Sequence, residues 1–220
     1  MSSAAFSPDG QQVLTASADH TARLWSTASG KCLLAFVGHR GWVFAATFSQ
    51  DGQQVITASA DHTAKLWSTA SGKCLLTFVG HQDWVSSAAF SPDGQQVLTA
   101  SADHTARLWS TTSGECLLTL VGHQDWVSSA AFSPDGQKVL TASADRTAKL
   151  WSTASGECSL TLVGHRDWVS SAAFSPDGQE VLTTSQDRTA RLWSTTSGMS
   201  LRTFMGHGDS VWFASFAPVA

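Results

Sequence analysis

The stretch that decides the fold is residues 85–126, which read VSSAAFSPDGQQVLTASADHTARLWSTTSGECLLTLVGHQDW. The next 42 residues repeat it with six changes, at Lys138, Arg146, Lys149, Ala154, Ser159 and Arg166. The Gly-His pair recurs at the same interval, with its histidine at His39, His81, His123, His165 and His207. A repeat of this period indicates a fold of stacked supersecondary units, each of which buries its faces against its neighbours.

The repeat covers nearly the whole chain. Five copies account for 210 of the 220 residues, and residues 211–220 (VWFASFAPVA) align with residues 1–10 (MSSAAFSPDG). The chain therefore begins and ends on the same segment of the repeat. Because the repeat is unbroken, we predict a single domain over residues 1–220.

Composition and charge exclude several classes of function. Charged residues make up 14% of the chain, against about a quarter in typical soluble domains. The net charge of −4 gives no electrostatic reason to expect nucleic acid or an anionic membrane as a partner. Neither a signal sequence nor an apolar run of membrane-spanning length is visible, and we expect a cytoplasmic protein.

The cysteines also follow the repeat, one in each of four copies, at Cys32, Cys74, Cys116 and Cys158. None belongs to a CxxC motif, so the sequence predicts neither a zinc site nor a redox pair, and no cofactor. We expect thiols buried on strands, in a reducing compartment.

Each repeat divides into four short strands, which in the quoted copy are residues 85–90, 96–101, 105–109 and 116–121. The turns between them are marked by SPDG, ADH and STTSG, where proline, glycine and short polar residues favour tight reversals. These connections are too short for parallel crossovers, so each repeat is predicted to be an antiparallel meander. Stacking such sheets radially buries both of their faces, which is the architecture of a β-propeller.

Four motifs recur in fixed order: Gly-His, S-P-D-G, S-A-D-[HR]-T and [RK]-L-W-S. In this respect the chain strongly resembles the WD40 repeat family. The resemblance implies an all-β, WD40-type β-propeller with five four-stranded antiparallel blades and an extra C-terminal strand. The blades are expected near residues 2–37, 43–79, 85–121, 127–163 and 169–205, with the extra seam strand at 210–217.

In one respect the chain departs from the family. The Asp of the family's namesake dipeptide is serine, at Ser26, Ser68, Ser110, Ser152 and Ser194. We expect these serines to make a similar local hydrogen bond to the backbone.

Each repeat also brings a Ser, a His and an Asp into one set, which has two interpretations. As chemistry, they would be a nucleophile, its base and an orienting acid. The resemblance instead implies a structural tetrad, in which Asp accepts from His, His meets the Ser hydroxyl and a Trp N–H completes the set. Five equivalent copies, without a G-x-S-x-G motif, favour the structural interpretation and predict that the chain is not an enzyme.

The complete sets are His39, Ser59, Asp61 and Trp67; His81, Ser101, Asp103 and Trp109; His123, Ser143, Asp145 and Trp151; and His165, Ser185, Asp187 and Trp193. The first repeat has Ser17, Asp19 and Trp25 but no preceding Gly-His, and His207 has no repeat after it. Thr99, two residues before Ser101, is the alternative source of the hydroxyl.

A second tryptophan series follows the first four Gly-His pairs by three residues, at Trp42, Trp84, Trp126 and Trp168. The first interpretation is that these rings pack against neighbouring blades as core. The second is a protein-binding surface on the top face, because Trp and Arg dominate binding hot spots. That surface would include Arg40, Gln82, Gln124 and Arg166 and the turn residues His62, His104 and Arg146. A metal is not expected there, since His alternates with Arg.

We therefore predict a non-catalytic scaffold that binds a protein or peptide. Two alternatives remain open: the repeat portion of a larger signalling protein (an NTPase- or kinase-linked WD40 array), or a unit that closes a propeller ring as a homo-oligomer. In the latter, His207 would reach the first repeat of the same chain or of a second copy, and we favour a second copy. Residues 211–217 would then displace residues 2–7.

Overall fold

The computed structural model of the chain describes residues 2–217, and the sheets below are those of this part of the chain. It contains twenty β-strands and no helix among these residues. They form five four-stranded antiparallel sheets, each built from consecutive strands. The all-β fold predicted from the repeat is thereby confirmed.

The strand bounds repeat from sheet to sheet. The first sheet holds β1 (Ser3–Phe6), β2 (Gln12–Ala16), β3 (Thr21–Ser26) and β4 (Cys32–Val37). The second holds β5 (Val43–Phe48), β6 (Gln54–Ser59), β7 (Thr63–Ser68) and β8 (Cys74–Val79). The third holds β9 (Val85–Phe90), β10 (Gln96–Ser101), β11 (Thr105–Ser110) and β12 (Cys116–Val121). The fourth holds β13 (Val127–Phe132), β14 (Lys138–Ser143), β15 (Thr147–Ser152) and β16 (Cys158–Val163). The fifth holds β17 (Val169–Phe174), β18 (Glu180–Ser185), β19 (Ala190–Ser194) and β20 (Ser200–Phe204).

The turn between the first two strands of a sheet shows why its sequence is restricted. Gly10 adopts a φ of 70°, which glycine reaches without steric cost. Its N–H donates to the Ser7 carbonyl, and the Ser7 hydroxyl donates to the Asp9 carboxylate. The S-P-D-G motif is thus a closed turn whose backbone groups are satisfied locally.

Each sheet has two different apolar faces, because neighbouring residues on a strand point to opposite sides. We call one the leucine face; in the first sheet it carries Leu14, Leu24 and Phe36. We call the other the valine face; in the second sheet it carries Val55, Thr57 and Trp67. The same positions in the other repeats define the two faces of the other sheets.

The chain divides into two compact units, Met1–Ser101 with Arg107–Leu117, and Ala102–Ala106 with Leu118–Ala220. In the first unit, the leucine face of the first sheet packs on the valine face of the second. There Leu14, Leu24 and Phe36 form one buried cluster with Val55 and Trp67. Each such side chain contributes about 1.5–3 kcal/mol when it leaves water.

The same packing of unlike faces recurs at two more junctions. Still in the first unit, Ile56 and Phe78 are buried with Val97 and Trp109. In the second unit, the cluster contains Leu140, Leu150 and Leu162 of the fourth sheet with Val181 and Trp193 of the fifth. Burial of both faces therefore comes from sequence neighbours, as the repeat predicts. The prediction of a single domain over residues 1–220 stays a prediction.

The expectation of buried thiols is wrong. Cys32, Cys74, Cys116 and Cys158 are all exposed. Each begins the fourth strand of its sheet, in which only one residue is buried; in β4 that residue is Phe36. The fourth strand is an edge that has no further strand to cover it, so its first side chain faces solvent.

The last part of the chain departs from the repeat. Residues 205–217 form no strand, although a seam strand was predicted at 210–217. A strand needs a partner, and among the described residues no further sheet follows the fifth. Val211 nevertheless donates its N–H to the Ser185 carbonyl at 3.0 Å. The seam strand thus stays a prediction, while Met1 and residues 218–220 of the predicted domain lie outside the described residues.

Candidate binding site

A buried hydrogen-bonded network lies on the valine face of each sheet that follows a Gly-His pair. In the second sheet, Trp67 Nε1 donates to Thr57 Oγ1 at 2.8 Å, and Thr57 Oγ1 lies 2.7 Å from His39 Nε2. The other ring nitrogen, His39 Nδ1, lies 2.8 Å from Asp61 Oδ2. Since the carboxylate can only accept, Nδ1 carries the proton, and Nε2 accepts from the Thr57 hydroxyl.

The same arrangement recurs along the chain. His123 lies 2.7 Å from Asp145 and 2.8 Å from Thr141, which also accepts from Trp151 at 2.8 Å. His165 makes equivalent contacts with Asp187, Thr183 and Trp193 at 2.9, 2.8 and 2.8 Å. For His81, the distance to Thr99 Oγ1 is 2.8 Å, and Thr99 accepts from Trp109 at 2.8 Å.

The predicted serine is wrong as the hydroxyl of this network, because threonine occupies that position. Ser59 lies two residues further along β6, and its hydroxyl instead donates to the Gly41 carbonyl at 3.2 Å. It also accepts the Asp61 N–H at 3.1 Å. The corresponding serines bond the same way to the residue before the tryptophan: Ser101 to Asp83, Ser143 to Asp125 and Ser185 to Asp167, each at 3.0 Å.

Burial and hydrogen bonding have opposite effects on the pKa of the aspartate carboxyl groups. Burial by itself would raise the pKa of the Asp61 carboxyl, but hydrogen bonds from His39 and Thr63 and from the Arg40 N–H outweigh it and hold that pKa well below its usual range. The pKa values of Asp145 and Asp187 are lowered by the same balance. The aspartates are therefore ionised at neutral pH.

The histidine of the last complete network is neutral. Burial lowers the pKa of His165 and outweighs the opposite effect of the Asp187 carboxylate. A neutral ring can accept from Thr183 and donate to Asp187 at once, which is what the network requires.

These groups are badly placed for catalysis. The hydroxyls of the network and of the neighbouring serine belong to buried residues such as Thr141 and Ser143, and His123 is buried as well. A nucleophile and its base must reach a substrate, whereas here each polar atom is already bonded to another part of the sheet. Among the described residues, no group of three or more His, Cys, Asp or Glu side chains is arranged to hold a metal ion.

The second tryptophan series lies in four short segments that we call the tryptophan loops, residues 40–42, 82–84, 124–126 and 166–168. Trp42, Trp84 and Trp126 are 56%, 45% and 41% exposed. Trp168 is half-buried. The interpretation of these rings as core is wrong for Trp42, Trp84 and Trp126, and stays open for Trp168, whose ring nitrogen is buried. The three exposed rings differ sharply from the buried series that includes Trp67 and Trp109.

The network fixes the backbone of these loops. Asp61 Oδ2, which binds His39, also accepts the Arg40 N–H at 2.9 Å. The Trp42 carbonyl accepts the Ala60 N–H at 2.8 Å. Gln124 and Arg166 donate their N–H groups to Asp145 and Asp187 in the same way, at 3.0 and 2.9 Å.

The turns between the second and third strands lie beside these loops. Asp61 reaches both, because its other carboxylate oxygen accepts from the Thr63 hydroxyl and N–H. At the tip of each turn is a non-glycine residue with a φ of 67–70°: His20, His62, His104, Arg146 and Arg188. This left-handed conformation is uncommon for such residues, and all five of them are exposed.

Each unit has an aromatic contact that involves these loops. In the first unit, the Phe44 ring packs on Trp84 with centroids 5.9 Å apart. In the second, Trp126 and Trp168 meet edge to face at 5.9 Å. Sequence reasoning did not identify these pairs, nor the Asp125 carboxylate that accepts the Trp126 N–H at 2.8 Å.

The structure also describes the two partial networks, one in the first sheet and one in the segment after the fifth sheet. Trp25 Nε1 donates to Thr15 Oγ1 at 2.8 Å, and Asp19 accepts from the Thr21 hydroxyl at 2.6 Å. Asp19 is half-exposed and lies 3.6 Å from Arg23. His207 lies in the segment after the fifth sheet and is exposed.

A family model described as "WD domain, G-beta repeat" matches five segments, residues 1–26, 30–68, 72–110, 114–152 and 156–194. The chain belongs to the WD40 repeat family. WD40 repeat proteins generally act as scaffolds for protein interactions.

Curated relatives match over single short segments. Human WD repeat-containing protein 86 is 60% identical over 37 residues, which are 17% of this chain and 10% of that protein. WD repeat-containing protein 37 of Xenopus tropicalis and of Xenopus laevis is 70% identical over 27 residues, 12% of this chain and 6% of those proteins. The matches thus span a tenth or less of the length of these relatives.

The serine that replaces the aspartate of the WD40 dipeptide keeps a role in the turn. Ser110 Oγ accepts the N–H groups of Thr112 and Ser113, both at 3.2 Å. Ser152 and Ser194 accept from the equivalent pairs at 3.3 Å. The predicted local hydrogen bond is confirmed for Ser110, Ser152 and Ser194, and Ser26 accepts the Ser29 N–H at 3.2 Å. The described part of this WD40 chain offers no helical segment capable of crossing a membrane.

Proposed function

We propose that this chain binds a protein or peptide partner through its tryptophan loops and catalyses no reaction. The observation that carries the proposal is the exposure of Trp42, Trp84 and Trp126 at 41–56%. Large aromatic side chains repeated at one position and left in solvent are typical of interaction surfaces. The buried Ser-His-Asp sets, in contrast, offer no group to a substrate.

The backbone of these loops is also held by hydrogen bonds in the chain alone. Asp61 holds the Arg40 N–H, Ser59 holds the Gly41 carbonyl, and Ala60 holds the Trp42 carbonyl. A loop that is already ordered loses little conformational entropy on binding, so more of the contact energy appears as affinity. The buried network thus supports the binding surface from beneath.

In each unit, the turn tips add polar groups beside the tryptophan loops of that unit. His62, His104 and Arg146 are exposed, each with positive φ. Strained backbone of this kind concentrates at sites where a side chain must be held in place. Together with the exposed side chains of Arg40, Gln82, Gln124 and Arg166, they supply hydrogen-bond donors around the rings.

The test uses peptides selected on the wild-type chain from a displayed library of random linear peptides, with affinities measured by fluorescence anisotropy. Two double variants are compared, Trp42→Ser with Trp84→Ser, and Trp126→Ser with Trp168→Ser. We expect affinity for the selected peptides to fall by about tenfold or more in at least one of them, as for the loss of a hot spot.

The matched control is Leu117→Ser. Leu117 is also a large exposed side chain, but it lies on the fourth strand of its sheet, and the next repeat has Ser159 at this position. Its affinity should equal that of the wild type. Equal affinity in all variants would refute the proposal, and loss of the β-sheet circular dichroism in the tryptophan variants would show that these rings are structural.

A further inference from the structure

The first sheet has an uncovered valine face. Val13, Thr15 and Trp25 are half-buried, whereas their equivalents in the second sheet, such as Trp67, are fully buried. In front of this face lies an open groove of about 810 Å³, lined by Phe6, Val13, Thr15, Asp19, Arg23 and Trp25. On the second sheet, the valine face is covered by the leucine face of the first sheet.

The fifth sheet has the complementary defect. Its leucine face carries Phe204, which is 47% exposed, whereas Phe36 and Phe78 at the same position are 1% exposed. Leu192 is half-buried, whereas Leu150 is fully buried. A Cβ added to Gly122 would meet the Trp151 ring at 3.1 Å, but one added to Gly206 would meet nothing within 4 Å.

The polar network is divided between the same two ends. The first sheet has the acceptor aspartate Asp19 and the threonine–tryptophan pair Thr15 and Trp25, but no histidine precedes them. The Gly-His pair that follows the fifth sheet ends in an exposed His207. At a complete junction the histidine lies 2.7–2.9 Å from its aspartate.

We propose that copies of this chain dock head to tail, with the leucine face of the fifth sheet of one copy against the valine face of the first sheet of the next. His207 then binds Asp19 and Thr15 of the second copy, and Phe204 covers Trp25. Unlike faces of this chain already pack in this way at three junctions. The interface is heterologous, so it forms closed rings or longer chains of copies.

Because His207 is followed closely by residues 211–217, this docking also requires those residues to replace a strand of the next copy. At a complete junction, His39 is followed four residues later by Val43, which begins the first strand of the sheet that His39 binds. His207 is followed at the same interval by Val211. When His207 binds Asp19 of the next copy, residues 211–217 must lie where β1 of that copy lies. The two segments are equivalent in the repeat, and only one can occupy the position.

Val211 is already placed to begin this strand. Its N–H bonds to Ser185, as the Val43 N–H bonds to Ser17 at 3.1 Å. Its carbonyl accepts from Ser170 at 2.6 Å, as the Val169 carbonyl accepts from Ser128 at 2.7 Å. Trp212 and Phe213, the next two residues, are exposed. The segment therefore starts a sixth sheet whose other strands come from the second copy.

The test is the mass of the 220-residue chain as a function of concentration, measured by sedimentation velocity, with four variants. We expect a multiple of the single-chain mass for the wild type. His207→Ala and Asp19→Asn each remove one side of the shared contact and should weaken assembly by about tenfold. Asp51→Asn, which changes an aspartate in a turn away from both ends, is the control and should assemble as the wild type does.

The strand exchange predicts opposite effects of two deletions. Removal of residues 208–220 should leave single chains, whereas removal of residues 2–7 should tighten assembly because it removes the competing strand. A single-chain mass for the wild type at every concentration overturns the proposal. So does assembly that is unaffected by His207→Ala, or weakened assembly on removal of residues 2–7.

Discussion

At the scale of single residues, one threonine oxygen holds each network together. Thr141 Oγ1 accepts from Trp151 and donates to His123, and the His123 ring donates in turn to Asp145. Every donor in this series has an acceptor, so the buried polar groups carry little desolvation penalty. The neighbouring Ser143 performs a different task, which is to hold the loop that precedes Trp126.

Thr141→Val tests this assignment, because it removes the hydroxyl and keeps the shape of the side chain. It leaves the ring nitrogens of Trp151 and His123 without partners in a buried site, and we expect a loss of about 1–3 kcal/mol in the free energy of unfolding. The matched control is Thr15→Val in the first sheet, where within a single copy no histidine is bound and the site is half-buried; both variants are measured at concentrations where the chain is a single copy. Chemical denaturation of both variants measures the difference. Equal losses would show that the histidine contact contributes nothing.

At the scale of elements, each sheet has two apolar faces, and both must be buried against neighbouring sheets. The leucine and valine faces differ in shape, and the Gly-His turn at the end of one sheet fits against the tryptophan of the next. A methyl group in place of the Gly38 or Gly122 hydrogen would lie only 3.2 or 3.1 Å from the ring of Trp67 or Trp151. Close approach of this kind sets the order of the elements, because only unlike faces match.

Gly122→Ala tests the fit at such a junction. The added methyl would meet the Trp151 ring, so we expect a loss of about 1–3 kcal/mol in the free energy of unfolding from overpacking. Gly206→Ala is the control, since Gly206 also has positive φ (135° against 157°) but no atom near its Cβ position. Both are measured at concentrations where the chain is a single copy. A loss as large in Gly206→Ala would assign the effect to the backbone rather than to packing.

At the scale of the whole molecule, copies of one network make the chain sensitive to acid. Stability rises with pH wherever the unfolded chain binds more protons than the folded chain. The folded pKa of His165 is below its ordinary value, so protonation of the unfolded chain begins to lower stability as the pH falls below about 6.5. The folded pKa values of Asp61, Asp145 and Asp187 are also lowered, so their contribution is present above about pH 3.9 and is lost below it.

We therefore expect the free energy of unfolding to be nearly constant above pH 7, to decline below about pH 6.5 and to fall more steeply below about pH 4. Urea denaturation across this range measures it. Asp187→Asn should reduce the steep part, because it removes one of the ionised carboxylates. A free energy that stays constant from pH 7 to about pH 3 would contradict the assignment of ionised aspartates in the folded chain.

The sequence by itself determined the strands, the turns and the two faces of each sheet, because these follow from short-range alternation and from glycine and proline at fixed places in the repeat. It also indicated which groups meet across a junction, since Gly-His and S-A-D recur in register. It favoured serine, here Ser143, as the central hydroxyl and gave the threonine two residues before it, here Thr141, only as the alternative. Both lie on the same side of β14, and only the packed position of the His123 ring shows which oxygen is within reach.

The tertiary structure also decided what is exposed. Trp126 and Trp151 are the same residue type in similar repeats, yet one is 41% exposed and the other is buried. The difference arises because Trp151 lies on a sheet face and packs closely against Gly122, whereas Trp126 lies in a loop beyond the strands. The cysteines were misjudged for the same reason, since strand propensity does not reveal which strand is the uncovered edge. Local sequence sets the conformation of the chain, but exposure depends on which surfaces other elements cover.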